Sequence, residues 1–107
     1  MKANSSKIGA SGCRSMAEVR DGIDRLDREI VALLGERFRY IEAAARIKQD
    51  IEAIRDEARI DEVIANVRVF AEEEGVPPDI AAELYRMLIE ASVSYELDKF
   101  ATRGEVA

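Results

Sequence analysis

Two cations stand where a helical apolar stripe calls for leucines. Val19, Ile23, Leu26, Ile30 and Leu33 step by four and three, the spacing that keeps side chains on one helix face, and the next step lands on Arg37. A second row on that face, Leu34, Phe38, Ile41 and Ala45, runs into Lys48. Eleven positions separate the two cations, which puts them within ~20° around a helix and about 16 Å apart along it. A small dianion could lie between them. Arg20 breaks into the start of the stripe but sits ~25 Å up the axis from Arg37, beyond the reach of one small ligand on the same chain. In an antiparallel pair of chains, Arg20 of the partner could lie between Arg37 and Lys48. Arginines beside an apolar stripe also snorkel or pair with carboxylates, so the pattern alone leaves both readings open.

These residues need one long helix and something to pack it against. The first helix is expected from Met16 to about Asp50, with Ser15 as N-cap and Glu18 three residues on in a capping-box pattern. A connection follows near residues 50–55. A second helix opens with Asp56 as candidate N-cap, carries Ile60, Val63, Ile64, Val67 and Phe70 on one face, and stops at Gly75 before Pro77 and Pro78. The third begins at Pro78 or Asp79, carries Ile80, Leu84, Met87, Leu88, Ala91 and Tyr95, and frays near residues 102–104. The fold is thus all-α, three helices per chain, one long and two shorter. A helix of about 50 Å cannot be covered by two of half its length, so an antiparallel homodimer closes the core most simply. Residues 1–15, rich in Ser, Gly, Lys and Ala, are expected to be a disordered tail, residues 16–103 the folded domain, and residues 104–107 a frayed end.

Composition removes several classes of function. The 107 residues suit one domain, marginal as a monomer. With 22 acidic against 16 basic residues and a net charge of -6, the chain lacks the field that nucleic-acid binders use. No histidine is present, which withdraws the usual proton shuttle at neutral pH, the commonest metal ligand and every His-activated nucleophile. The lone Cys13 indicates neither a disulfide nor a metal site. No apolar run reaches membrane-spanning length and no leader pattern is seen, so a cytosolic protein is expected, without metal, cofactor or membrane partner.

The segments Val19-Arg20-Asp21-Gly22-Ile23-Asp24-Arg25-Leu26-Asp27, Leu33-Leu34-Gly35-Glu36-Arg37 and Ala45-Arg46-Ile47-Lys48 together resemble the all-helical chorismate mutase family. Ile54-Arg55-Asp56-Glu57-Ala58-Arg59 resembles the opening of that family's second helix, and Ser92-Val93-Ser94-Tyr95-Glu96 falls where its third helix faces the site. The resemblance spans residues 17–103. It implies an intertwined homodimer with two equivalent sites and a small dicarboxylate substrate, chorismate, rearranged to prephenate at the branch toward phenylalanine and tyrosine. Arg20 from the partner and Arg37 would bind the two carboxylates, a task suited to the guanidinium fork. Lys48 would contact the ether oxygen and a carboxylate, Arg59 would close over the site, and Asp56 and Ser92 would address the ring hydroxyl or neighbouring groups. Glu96 would face the ether oxygen. The rearrangement requires no nucleophile or metal, only a held conformer and fixed positive charge at the breaking C–O bond.

Two positions depart from that pattern. Many members resembling this chain carry glutamine where Glu96 stands, and an ionised glutamate cannot donate to an oxygen. Glu96 is therefore expected to act protonated, helped by apolar surroundings and opposed by Lys48, or else to be a solvated carboxylate. At Ile60, mutases of this type can carry a glutamate while lyase-like members can carry an apolar residue, and Ile60 also fits the core stripe of the second helix. Isochorismate pyruvate lyases and aminodeoxychorismate mutases share the resemblance and remain alternatives. So do a capping role for Asp56, an ion pair of Arg59 with Asp56 or Glu62, and a non-catalytic dimerisation module.

Overall fold

The computed structural model describes residues 8–103. They form three α-helices, α1 (Met16–Ile47), α2 (Glu57–Glu74) and α3 (Pro78–Thr102), with short 3-10 turns at Ala10–Gly12 and Ile51–Ala53. No strand occurs among the described residues, so the chain is all-α. Of the expected tail, residues 1–7 lie outside the described residues, as do residues 104–107 at the other end. No described helix is long and apolar enough to cross a membrane.

Local chemistry sets each boundary. At the start of α1, Ser15 Oγ accepts from the Glu18 backbone N–H at 3.2 Å, the first half of the expected capping box. The second half reaches one residue further back, with Glu18 Oε1 accepting from the Arg14 N–H at 2.6 Å. Before α2, Asp56 is extended (φ -112°, ψ 101°) and its side chain accepts from the Arg59 N–H, so it is the N-cap. Gly75 ends α2 at φ 76°, the left-handed conformation that costs glycine nothing. Val76 N–H then bonds back to the Ala71 carbonyl at 2.8 Å, and Pro77 and Pro78 forbid continuation while seeding α3.

The chain divides into two compact units, residues 1–37 and residues 38–107. In the first, residues 16–37 of α1 leave Ile23, Leu26, Ile30 and Leu33 about half exposed or more. In the second, α2 packs on α3 through Ile64, Ala82 and Ile89, with Ile60, Val63, Tyr85 and Val93 against them. Arg68 on α2 pairs with Asp79 at the start of α3 at 2.7 Å.

The buried face of α3 is not the expected one. Ile80, Leu84 and Met87 are exposed, whereas Ala82, Ile89, Ser92 and Glu96 are buried. Positions 82, 85, 89, 92 and 96 also step by three and four, so α3 carries two rows of helical period, and the row with the small Ala82 is the one on which α2 sits. On α2, Ala71 replaces Phe70 at the end of the buried face, and Phe70 stays exposed.

Candidate active site

Lys48 is the first residue beyond α1, its N–H still bonded to the Ala44 carbonyl at 2.9 Å. Its side chain turns toward α3, where Nζ lies 2.9 Å from Glu96 Oε2. Nζ also donates to the Ile54 carbonyl at 3.5 Å, in the connection before α2. The Glu96 side chain is 6 % exposed and that of Lys48 29 %, so a buried acid meets a cation that still reaches solvent. Glu96 is therefore not the solvated carboxylate that sequence alone also allowed. Its Oε2 makes no hydrogen bond, because the ammonium sits at ion-pair distance but outside hydrogen-bonding angles.

Ser92 lies one turn before Glu96 on the buried face of α3, and its Oγ donates to the Leu88 carbonyl at 2.7 Å. Asp56 holds its capping bond to Arg59 N–H at 3.1 Å. The Arg59 guanidinium pairs with Glu62 Oε1 at 2.8 Å, both side chains being well exposed. Exposed pairs of this kind are weak and exchange readily for a better anion. Ile60 is half-buried against the Ile64, Ala82 and Ile89 cluster, the core position expected for it. The structure thus brings Lys48 and Glu96 into contact in the second unit. In the first unit, Arg20 is exposed on α1 and Arg37 is half-buried near its middle.

Three polar groupings had no signal in the sequence. Arg55 forks onto Glu90 of α3 through Nη1 at 3.2 Å and Nη2 at 2.6 Å, and its Nε bonds Glu57 at 2.8 Å. Its hydrogen bonds to Glu90 hold that carboxyl below its ordinary range and raise the guanidinium still further. Tyr95 donates a short hydrogen bond to Glu42 and packs edge-on against Phe38 with centroids 4.9 Å apart. Arg103 donates to the Ala45 and Lys48 carbonyls at the end of α1. Each joins residues far apart in the chain, 35 positions in the case of Arg55 and Glu90, and neither periodicity nor capping rules reach that far. Among the described residues, no three potential metal-binding side chains cluster.

Residues 19–97 match the family model for chorismate mutase type II, a span that contains Arg20, Arg37, Lys48 and Glu96. The chain is also similar to an isochorismate pyruvate lyase of Pseudomonas aeruginosa, with 31 % identity over 93 residues, covering 86 % of this chain and 92 % of the relative. A family match over most of the three-helix domain, with the cationic positions inside it, establishes that the chain belongs to the chorismate mutase type II family.

Proposed function

We propose that this protein is a chorismate mutase, converting chorismate to prephenate by restricting the conformer and stabilising negative charge on the ether oxygen. The observation that carries the proposal is the Lys48–Glu96 contact at 2.9 Å around a buried oxygen without a hydrogen bond. A cation held in place beside a buried acceptor is the preorganised charge that a breaking C–O bond requires, and it needs no reorganisation as the reaction proceeds. Arg37 and, from a second copy of the chain, Arg20 take the substrate's carboxylates. Asp56 and Ser92 address the ring hydroxyl or neighbouring groups. Arg59 leaves Glu62 to close over the ligand, a small cost for an exposed pair.

A second reading is elimination of pyruvate from isochorismate. It is favoured by the similarity to the isochorismate pyruvate lyase of Pseudomonas aeruginosa and by Ile60, which packs in the core where related mutases can carry a glutamate for the ring hydroxyl. The same Lys48 and Glu96 serve either reaction, because both break the bond to an ether oxygen.

The decisive experiment supplies the purified protein with chorismate and isochorismate separately and follows prephenate against salicylate plus pyruvate. Prephenate from chorismate is expected. Salicylate and pyruvate from isochorismate alone would install the second reading, and turnover of neither would overturn both. In the productive assay, Lys48→Ala is expected to lower kcat by roughly 10²–10³-fold, the usual cost of removing a preorganised donor.

A further inference from the structure

Helix α1 stops at Ile47, and the last carbonyls of any helix lack partners within it. Here the deficit falls on a buried segment, since Ala45 is only 1 % exposed. The Ala45 carbonyl accepts instead from Arg103 Nη1 at 3.0 Å, and the same nitrogen donates to the Lys48 carbonyl. One guanidinium nitrogen carries two N–H groups, so it can serve both oxygens at once. Arg103 is itself the C-cap of α3, and its guanidinium carbon lies 3.8 Å from the centroid of the Phe100 ring, a stacking contact that orients the fork. Its charge also sits at the negative end of α1.

We infer that Arg103 is a positioning residue for Lys48: it closes the end of α1 and fixes the backbone from which the Lys48 ammonium reaches Glu96. Lys48 is then held at its N–H by Ala44, at its carbonyl by Arg103, and at Nζ by Ile54 and Glu96. Without Arg103, the carbonyl restraint is lost, the buried Ala45 oxygen loses its donor, and the last turn of α1 can fray. A displaced backbone moves the ammonium, and preorganised charge loses its value with small displacements. The inference rests on the proposed role of Lys48 at the ether oxygen.

The test compares Arg103→Ala, Arg103→Gln and Arg103→Lys in the full chain by steady-state kinetics and amide hydrogen exchange. For Arg103→Ala, kcat is expected to fall roughly tenfold while KM stays within about twofold, since positioning acts on the transition state more than on binding. Exchange should accelerate in residues 44–54 and stay unchanged across the Ile64 and Ile89 core. Arg103→Gln keeps the donors without charge, and Arg103→Lys keeps charge without the stacking plane. Each should recover part of the lost kcat.

Wild-type kcat in Arg103→Ala would overturn the inference. So would a loss of kcat without local change in exchange, or exchange that accelerates equally throughout α2 and α3 in all three variants, the signature of general destabilisation. If the unmodified protein turns over neither chorismate nor isochorismate, the proposed function fails while the exchange measurement still decides the restraint. Acceleration confined to residues 44–54 would uphold it, and unchanged exchange would remove it.

Discussion

Residues 16–37 and residues 38–103 both carry apolar rows of helical period, and the rows meet opposite fates. In the second region Ile64, Ala82 and Ile89 are 5 %, 1 % and 6 % exposed, closed by contacts within the chain. In the first, Ile23, Leu26, Ile30 and Leu33 remain between 49 % and 65 % exposed. Periodicity dictates a helix in both cases, because it reports which side chains share a face. It does not report what covers that face. A row of exposed aliphatic residues on this scale has the character of an interaction surface, and we propose that its occupant is the same row of a second copy, running antiparallel. The second region thus closes part of its apolar surface within the chain, whereas on this proposal the first closes its row only against a partner.

The sharpest way to break this comparison is to spoil the interface alone. Leu33→Asp or Ile30→Asp should yield a monomer by sedimentation and abolish turnover, since the proposed site draws Arg20 from the other chain. A dimer of unchanged mass and activity would show that the row is not the interface. Arg20→Ala and Arg37→Ala should each be inactive. When the two are mixed and allowed to exchange, chimaeric dimers should regain about a quarter of wild-type activity, because half the dimers form and each holds one intact site. Failure to complement would mean that both arginines act within one chain.

A smaller effect separates the two regions by stability. Ile64→Ala should destabilise by about 2–5 kcal/mol through the cavity it leaves, by the same amount at every protein concentration. Leu26→Ala should instead weaken association, so its melting temperature should depend more steeply on protein concentration than that of the wild type. Identical concentration dependence in both variants would erase the distinction.

The same contrast explains what could be read in advance. The start of α1, the Asp56 cap, the Gly75 stop and the Pro78 start are local facts, each set within a few residues, and the structure follows them, whereas α1 ends at Ile47, short of the expected Asp50 and leaving Lys48 just beyond it. The burial of Glu96 was not local. The row that buries it contains Ser92 and Tyr85, so its apolar count is lower than that of the exposed Ile80, Leu84 and Met87 row. Only the docking of α2 on Ala82 decides between the two faces. Arg103 was silent for a similar reason: an arginine at a fraying helix end is unremarkable until the end of another helix is brought beside it.

Glu96 supplies a prediction of moderate size within the second region. A carboxylate can only accept at the ether oxygen, whereas the amide of Glu96→Gln can donate to it. Glu96→Gln should therefore keep substantial activity, whereas Glu96→Ala should lose it, as measured by kcat in the productive assay. Wild-type kcat in Glu96→Ala would remove Glu96 from the chemistry and leave Lys48 alone at the oxygen.

The smallest expected effect tests where the boundary between the regions lies. Residues 38–47 of α1 belong with the second unit, and Tyr95 ties them to α3 through its hydrogen bond to Glu42 and its edge-on contact with Phe38. The bond to Glu42 is the main reason that the Tyr95 phenol is pushed above its ordinary value of 10.0, with burial and the Glu42 charge adding to it. A group whose folded value is raised contributes stability that is fully present below its unfolded value and is lost as pH rises through the folded one. Wild-type stability should therefore fall more steeply than that of Tyr95→Phe above pH 10, with the two converging as the phenol ionises. Denaturant unfolding at a series of alkaline pH values, with the tyrosinate absorbance followed in parallel, measures both quantities. Parallel stability curves would mean that the Glu42 bond does not persist in solution, leaving the Phe38 contact, Lys48 and Arg103 to tie residues 38–48 to α3.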